Sequence, residues 1–567
     1  MIQQKVATHQ WFQDSVVYQI YPRSFQDSNH DGIGDLNGIR SRLDYLQKLG
    51  VDVLWLNPIY KSPDKDNGYD IADYEAIQPV FGTMTDFDQL LADIHEHGLK
   101  LMMDLVVNHT SDQHKWFQAS KQSQDNPFSD FYIWRDPVDG HEPNNWGSYF
   151  GGPAWTYVPE RGQYYLHLFA PGQPDLNWEN PAVREHVYDL MRFWLDKGVD
   201  GFRMDVINFI SKPAGLPDAP QPTGAKYGNV EPMVADGPLL NDYLQEMNRE
   251  VLSHYDVMTV GEMPSSVPAD VVNYANLNGS ELNMVFQFEH VTLAANPDAR
   301  LGKWNDQSVK LVDLKHALNH WEMDLDGKGW NSLYWNNHDQ PRAVSRFATD
   351  DPKYRVAAAK MLGGTLHFLQ GTPYVYEGEE IGMTNAHFTE LTQYEDLESI
   401  NGYHQIVDEE RATDATHMLK YLENISRDNA RTPMQWDASQ NAGFSDATPW
   451  FGLNQNYVQI NVATALAKQD SVFYFYQKLI QLRHQYAIIR YGSFEPLDEE
   501  DPQVYAYRRH LDGQTLLVES NFTTDTLTRN YDHPGNATVL IDNYGQDAGQ
   551  TLRPYEMKAY LYSDAEN

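Results

Sequence analysis

Gly201-Phe202-Arg203-Met204-Asp205 is the stretch that decides how this chain of 567 residues folds. It is a short apolar run that ends on charge. An amphipathic segment, residues 183–197, precedes it, with apolar residues at three- and four-residue steps and a glycine, Gly198, just past its end. The periodicity predicts a helix and the glycine its stop. Helix, turn and strand follow one another, and alternation along the strand puts Arg203 and Asp205 on one face.

Outward from this stretch the same unit repeats. Strand-like runs occupy residues 16–21, 51–56, 99–107, 201–207, 257–262, 284–288, 331–335 and 372–376. Helical periodicity marks 36–49, 87–97, 183–197, 239–254, 311–323 and 354–369, and several of these segments stop at a glycine, as at Gly50 and Gly98. Eight strands with helices between them predict an α/β fold, a (β/α)8 TIM barrel. Residues 111–180, rich in Trp, Tyr, Pro and Gly, break the alternation and predict a subdomain inserted after strand three. A Pro/Gly-rich stretch, 212–237, lengthens the loop after strand four. Short strand-like runs at 504–508, 515–520, 537–541 and 558–562, split by turn residues, predict a C-terminal antiparallel β domain. The expected division is barrel over 1–110, inserted subdomain over 111–180, barrel again over 181–486 and β domain over 487–567.

Polar residues cluster where the strands end. The third run closes as Asp104-Leu105-Val106-Val107-Asn108-His109, the fifth as Val260-Gly261-Glu262 and the seventh as Trp335-Asn336-Asn337-His338-Asp339. Barrel active sites lie at this face and draw on several strands. One terminal charge is ordinarily a solvated turn, whereas four successive clusters of acids, His and Arg read as one carboxylate-rich site. Glycoside hydrolysis needs two carboxylates, one as nucleophile or base and one as proton donor. Arg203 beside Asp205 is expected to keep that acid ionised, which suits a nucleophile. Glu262, with no cation next to it in sequence, is expected to keep its proton and act as the acid. Asp339 supplies a further anion to face the developing positive charge. The competing reading is a two-metal hydrolase with His109, Asp205, Glu262 and His338 as ligands, but no His-x-His or His-Glu-x-x-His spacing accompanies them.

Composition narrows the partners. With 42 basic against 80 acidic side chains the formal net charge is −38, which disfavours nucleic acid and anionic membranes and leaves a neutral substrate as the better fit. The absence of cysteine excludes disulfides and thiolate metal sites. No run approaches the length of a membrane-spanning helix. Met1 to Gln10 has a single Lys5 and no apolar block, unlike a secretory signal, so the cytoplasm is the expected compartment. A monomer is the expected state.

At these strand ends the chain resembles the α-amylase family, glycoside hydrolase family 13. Asp104–His109, Gly201–Asp205, Gly261-Glu262 and Asn337-His338-Asp339 look like its four signatures in order. Gln173-Pro174-Asp175-Leu176-Asn177 resembles its signature in the inserted subdomain. The likeness runs from Val17-Tyr18-Gln19-Ile20-Tyr21-Pro22 to Asn429-Ala430-Arg431-Thr432-Pro433-Met434-Gln435-Trp436 and is greatest to the bacterial oligo-1,6-glucosidase branch, with dextran glucosidases next. The resemblance implies Asp205 as nucleophile, Glu262 as acid/base and Asp339 as transition-state stabiliser. It implies that His109, Arg203 and His338 line the first glucose subsite. It also implies that Asp66, Tyr69 and Arg431 close that subsite, an Asp–Arg pair holding the terminal hydroxyls and enforcing exo-action. Val206 and Met263-Pro264, which follow the nucleophile and the acid, match the α-1,6-specific members. The implied activity is a retaining exo-α-glucosidase on isomaltose and short isomalto-oligosaccharides. The alternatives are an α-1,4-active α-glucosidase or a sucrose-isomerase-type transglucosidase on the same scaffold, although Gln340-Pro341-Arg342-Ala343-Val344 looks hydrolytic. A non-enzymatic ectodomain escorting a membrane transporter is disfavoured because the acids are present and a membrane helix is not.

The loop Asp27-Ser28-Asn29-His30-Asp31-Gly32-Ile33-Gly34-Asp35 has oxygen ligands at alternate positions around a turning glycine, like the start of an EF-hand. Gly38 stands where that motif needs its twelfth-position Glu. The resemblance suggests instead one structural Ca²⁺ held by Asp27, Asn29, Asp31, the Ile33 carbonyl and Asp35, with a metal-free turn as the alternative. No organic cofactor is expected.

Overall fold

The computed structural model describes residues 10–563. Most of the terminal stretch read for a secretory signal, residues 1–9, lies outside the described residues. Eight parallel strands form one sheet: β1 Val17–Ile20, β2 Val53–Leu56, β3 Lys100–Val106, β4 Gly201–Asp205, β5 Met258–Glu262, β6 Met284–Phe286, β7 Ser332–Leu333 and β8 Thr372–Tyr376. Each neighbours the next in sequence, β1 pairs with β8, and a parallel bridge from Val285 to Asn331 joins β6 to the approach of β7. The ring is therefore closed, as the eight runs predict. Its strands are buried on both faces, which is why they read as continuous apolar runs rather than as alternating ones. In β4 the close approach of the neighbouring strand demands a residue without a side chain. A Cβ on Gly201 would stand 2.2 Å from the Met258 carbonyl oxygen of β5.

The helix before β4, Pro181–Lys197, shows how local chemistry sets the register of the site. Asn180 caps its first turn through the Ala182 amide, Pro181 occupies the first helical position, and Gly198 ends it at φ 105°. Val183, Val187, Met191 and Trp194 form its buried stripe on the barrel. The predicted helix at 36–49 is broken into Leu36–Arg40 and Leu43–Leu49. The predicted seventh strand keeps only two paired residues.

Between β3 and Asn180 lies a three-stranded antiparallel sheet of Trp134–Arg135, Gln163–Leu166 and Trp155–Val158. Its apolar side, with Trp146, Trp155, Leu166 and Leu168, forms one cluster with Val206 and Phe209 from the end of β4. After β8, residues 386–428 carry the helices Leu397–Tyr403 and Ala415–Ile425 around a cluster of Trp304, Phe388, Met418 and Leu422. Sequence periodicity gave no account of this segment. The C-terminal sheet has five antiparallel strands, β9 Ser493–Leu497, β10 Val504–Leu511, β11 Gln514–Asn521, β12 Thr538–Asp542 and β13 Met557–Ser563, in the order β9-β10-β11-β13-β12. A buried ion pair, Arg509 with Glu322 at 2.7 Å, ties it to the barrel helix Leu311–Leu325.

Candidate active site

A cavity of about 710 Å³ opens at the C-terminal ends of the barrel strands. Asp205, Glu262 and Asp339 all line it, together with Asp66, Tyr69, His109 and Val206. Tyr149, Phe150 and Phe169 of the inserted region and Phe209 after β4 supply apolar wall. Glu398 and Arg427 of segment 386–428 complete the end near Asp66. The inserted region and this segment touch across the site, where the Asn401 side-chain amide donates to the Phe150 carbonyl at 3.0 Å.

Arg203 is the hub beneath the acids. Fully buried, it places Nη1 2.6 Å from Asp205 Oδ1 and 2.8 Å from Asp104 Oδ1, and Nη2 2.7 Å from Glu262 Oε2. One guanidinium thus holds the expected nucleophile and the expected acid on adjacent nitrogens. This corrects two electrostatic expectations. Burial, not Arg203, dominates at Asp205: the arginine opposes the rise, and the acid is pushed up to about 6. It is still mostly ionised near neutrality. Glu262 does have a cation against it, delivered by a different strand. It nonetheless rises to about 8, because burial leads and the charges of Asp205 and Asp339 add to it, outweighing Arg203. The expected roles keep their chemistry: Arg203 holds Asp205 toward the anion against its burial, and burial keeps the proton on Glu262.

Asp339 is treated differently. Burial alone would raise it, but His338, Arg427 and Arg431 hold it well below the usual carboxylate range. Its Oδ1 lies 3.0 Å from Arg427 Nη1 and 2.7 Å from Arg431 Nη2, and its Oδ2 lies 3.1 Å from His338 Nε2. Burial pushes His338 down to about 4, so the ring is neutral near pH 7 and the two guanidiniums carry the ionic hold. His338 is packed between Tyr69 (5.2 Å, stacked) and Tyr21 (6.1 Å) and meets Gln19 Nε2 at 2.9 Å. It supports Asp339 from behind and does not line the cavity. His109 does line it, meeting the Tyr69 carbonyl through Nε2 at 3.0 Å.

The expected Asp66–Arg431 pair is not the one formed. Arg427 Nη2 stands 3.7 Å from Asp66 Oδ1, and Arg427 lines the cavity. Arg431 is buried behind Asp339 and donates to the His338 carbonyl at 3.0 Å. Arg427 and Arg431 are four residues apart, so one helical turn carries both to the same side and only the packing decides which faces the pocket. Gln173, quoted for its motif alone, donates to Asp66 Oδ2 at 2.9 Å. Burial raises Asp66 to about 7 despite Arg427 and Arg431.

The predicted run 201–207 ends early: β4 stops at Asp205, and Val206 turns into the left-handed region (φ 34°, ψ 43°). There its amide donates to Glu262 Oε2 at 3.0 Å and its side chain joins the cavity wall. A β-branched residue in that region is strained, and such strain concentrates at functional sites.

The competing two-metal reading finds no matching geometry. Among the described residues no three His, Asp or Glu side chains are grouped to hold an ion, and His109 and His338 are engaged as above. In the loop of residues 27–35 the acids cap their own backbone. Asp27 accepts from the amides of Asn29 (2.9 Å), His30 (2.8 Å) and Gly32 (2.9 Å), Asp31 from that of Ile33 (2.8 Å), and Asp35 from those of Ser28 (2.8 Å) and Gly38 (2.7 Å). The donor types suit Ca²⁺, and an oxygen that accepts one N–H keeps a second lone pair.

No helix among the described residues is long and apolar enough to cross a membrane. The alpha-amylase catalytic-domain model matches residues 19–492. The chain is 55% identical to the oligo-1,6-glucosidase of Halalkalibacterium halodurans, over 97% of this chain and 99% of that one. It is 55% identical to the alpha-glucosidase of Pediococcus pentosaceus, over 98% and 99%. Among solved structures, the trehalose-6-phosphate hydrolase of Bacillus licheniformis superposes with a TM-score of 0.91 at 46% identity, over 98% of this chain and 100% of that one. A closed barrel with its carboxylates on one guanidinium, matched along nearly its whole length by such relatives, makes this chain a glycoside hydrolase of the α-amylase family.

Proposed function

We propose that the protein is a retaining, exo-acting α-glucosidase that hydrolyses α-1,6 bonds at the non-reducing ends of isomaltose and short isomalto-oligosaccharides. The observation that carries this is the pocket: Asp205 and Glu262 on adjacent nitrogens of Arg203, in a cavity whose far end is closed by Asp66 and Arg427. Asp205 attacks the anomeric carbon while Glu262 gives its proton to the departing glycosidic oxygen. Glu262 then takes a proton from water as the glucosyl–Asp205 ester is hydrolysed, releasing glucose and restoring both acids. The anionic Asp339 favours the positive charge that develops on the ring.

A neutral sugar fits better than a phosphorylated one. Asp66, Asp205, Glu231, Glu262, Glu289, Asp339 and Glu398 bring carboxylates to the cavity, against Lys303 and Arg427, and both cations already face acids: Lys303 with Glu398 at 2.6 Å, Arg427 with Asp339. The relatives named oligo-1,6-glucosidase support the linkage, as does Val206, an apolar side chain beside the acid where the aglycone leaves. The cytoplasm and a single-chain state belong to the same reading, as does structural Ca²⁺ at residues 27–35, on the chemistry of its oxygen donors. Specificity constants on isomaltose, panose, maltose and trehalose 6-phosphate test the assignment. Isomaltose and panose should lead, and equal rates on maltose would end the α-1,6 claim.

A further inference from the structure

Asp396 lies one layer behind the wall of the pocket. It is fully buried and does not line the cavity. Its Oδ1 accepts from Arg427 through Nε at 3.0 Å and through Nη2. Its Oδ2 accepts from the amide of Ser399 at 2.9 Å and from its hydroxyl at 2.8 Å, which caps helix Leu397–Tyr403. Asp428 in turn grips the backbone amides of Glu395 (2.8 Å) and Asp396 (3.0 Å). The carboxylate is therefore fixed on every side before it meets the arginine.

That arginine is under competing demands. Arg427 and Arg431 both converge on Oδ1 of Asp339, and two like charges so close repel unless a further anion lies between them. Asp396 is that anion, with Arg431 Nη1 3.7 Å from the same Oδ1 that holds Arg427. Arg427 also stands near Asp66 on the opposite side of the pocket end. Without Asp396 its planar fork, which also has Glu398 Oε2 3.5 Å from Nε, could swing into a two-pronged pair with any of these acids, and Asp66 or Asp339 would be drawn away from a sugar or left without its partner. With Nε and Nη2 committed to Asp396, Nη1 is left for Asp339.

We infer that Asp396 is a positioning residue for the terminal-glucose end of the site, acting through Arg427 to set where Asp66 and Asp339 present their oxygens. This rests on the reading that this end takes the terminal glucose. Asp396→Asn keeps the shape and removes the charge. In the full-length enzyme, KM for isomaltose and the dissociation constant of glucose, measured by calorimetry, should rise together by about tenfold or more, with a smaller change in kcat. Ser399→Ala, which removes one of the bonds that hold Asp396, should shift both constants the same way by less. If both variants keep wild-type KM and glucose affinity and only melt earlier, Asp396 is a helix cap and the inference falls. Glucose that fails to bind the wild type would instead overturn the pocket assignment beneath it.

Discussion

The pH dependence of kcat/KM reads the two acids directly. In the proposed mechanism Asp205 works as the anion, with its pKa pushed up to about 6, and Glu262 as the neutral acid, pushed up to about 8. Activity should therefore appear as pH rises through Asp205 and disappear as it rises through Glu262, giving a bell with limbs near those values. At pH 7, about nine molecules in ten carry each acid in its working form. At about pH 5 or about pH 9 only about one in ten does, so kcat/KM on isomaltose should be roughly eight- to tenfold below its maximum at either point. The alkaline limb has its own control. An aryl glucoside with a good leaving group needs little protonation, so for the glycosylation step its alkaline limb should flatten while the acid limb stays. Steady-state rates on both substrates across this range, in a constant-ionic-strength buffer, make the test. An alkaline limb near pH 5 would mean that burial does not hold the Glu262 proton. An alkaline limb equally steep for both substrates would mean that Glu262 is not the donor.

Substitutions extend the test. Asp205→Asn should leave the melting curve nearly unchanged and lower turnover on the order of a thousandfold or more, because no glucosyl ester can form; near-normal turnover would remove the mechanism. Val206→Thr keeps the branching that the left-handed backbone already accommodates and adds a hydroxyl to the aglycone side. The maltose-to-isomaltose ratio of kcat/KM should rise by about tenfold or more, and an unchanged ratio would detach linkage choice from this wall. Chelation should lower the melting temperature if Ca²⁺ binds the folded loop at residues 27–35, while activity at mild temperature survives. An unmoved curve with no metal by elemental analysis would withdraw the ion.

What could be read from sequence, and what could not, follows the range of the interactions. The barrel was legible because buried parallel strands are uniformly apolar and their helices carry periodic stripes. The three acids were legible because Asp205 and Glu262 end strands and Asp339 closes the polar cluster that follows the seventh. Strand β9 was not, since half-exposed Ser493–Leu497 with a proline in it lacks both patterns. The electrostatics of Glu262 were not legible, because its cation comes from a neighbouring strand and because burial is invisible in a local motif. The choice of Arg427 over Arg431 depended on segment 386–428, whose fold could not be anticipated. The left-handed turn at Val206 was unforeseeable from residue type, since valine is among the last residues to adopt it.

Proton NMR of isomaltotriose during its first seconds of hydrolysis reads both the stereochemistry and the position of cleavage. α-Glucose and isomaltose should be the first products, with β-glucose appearing only by mutarotation. First-formed β-glucose would contradict direct attack by Asp205, and an intact trisaccharide would contradict the α-1,6 assignment.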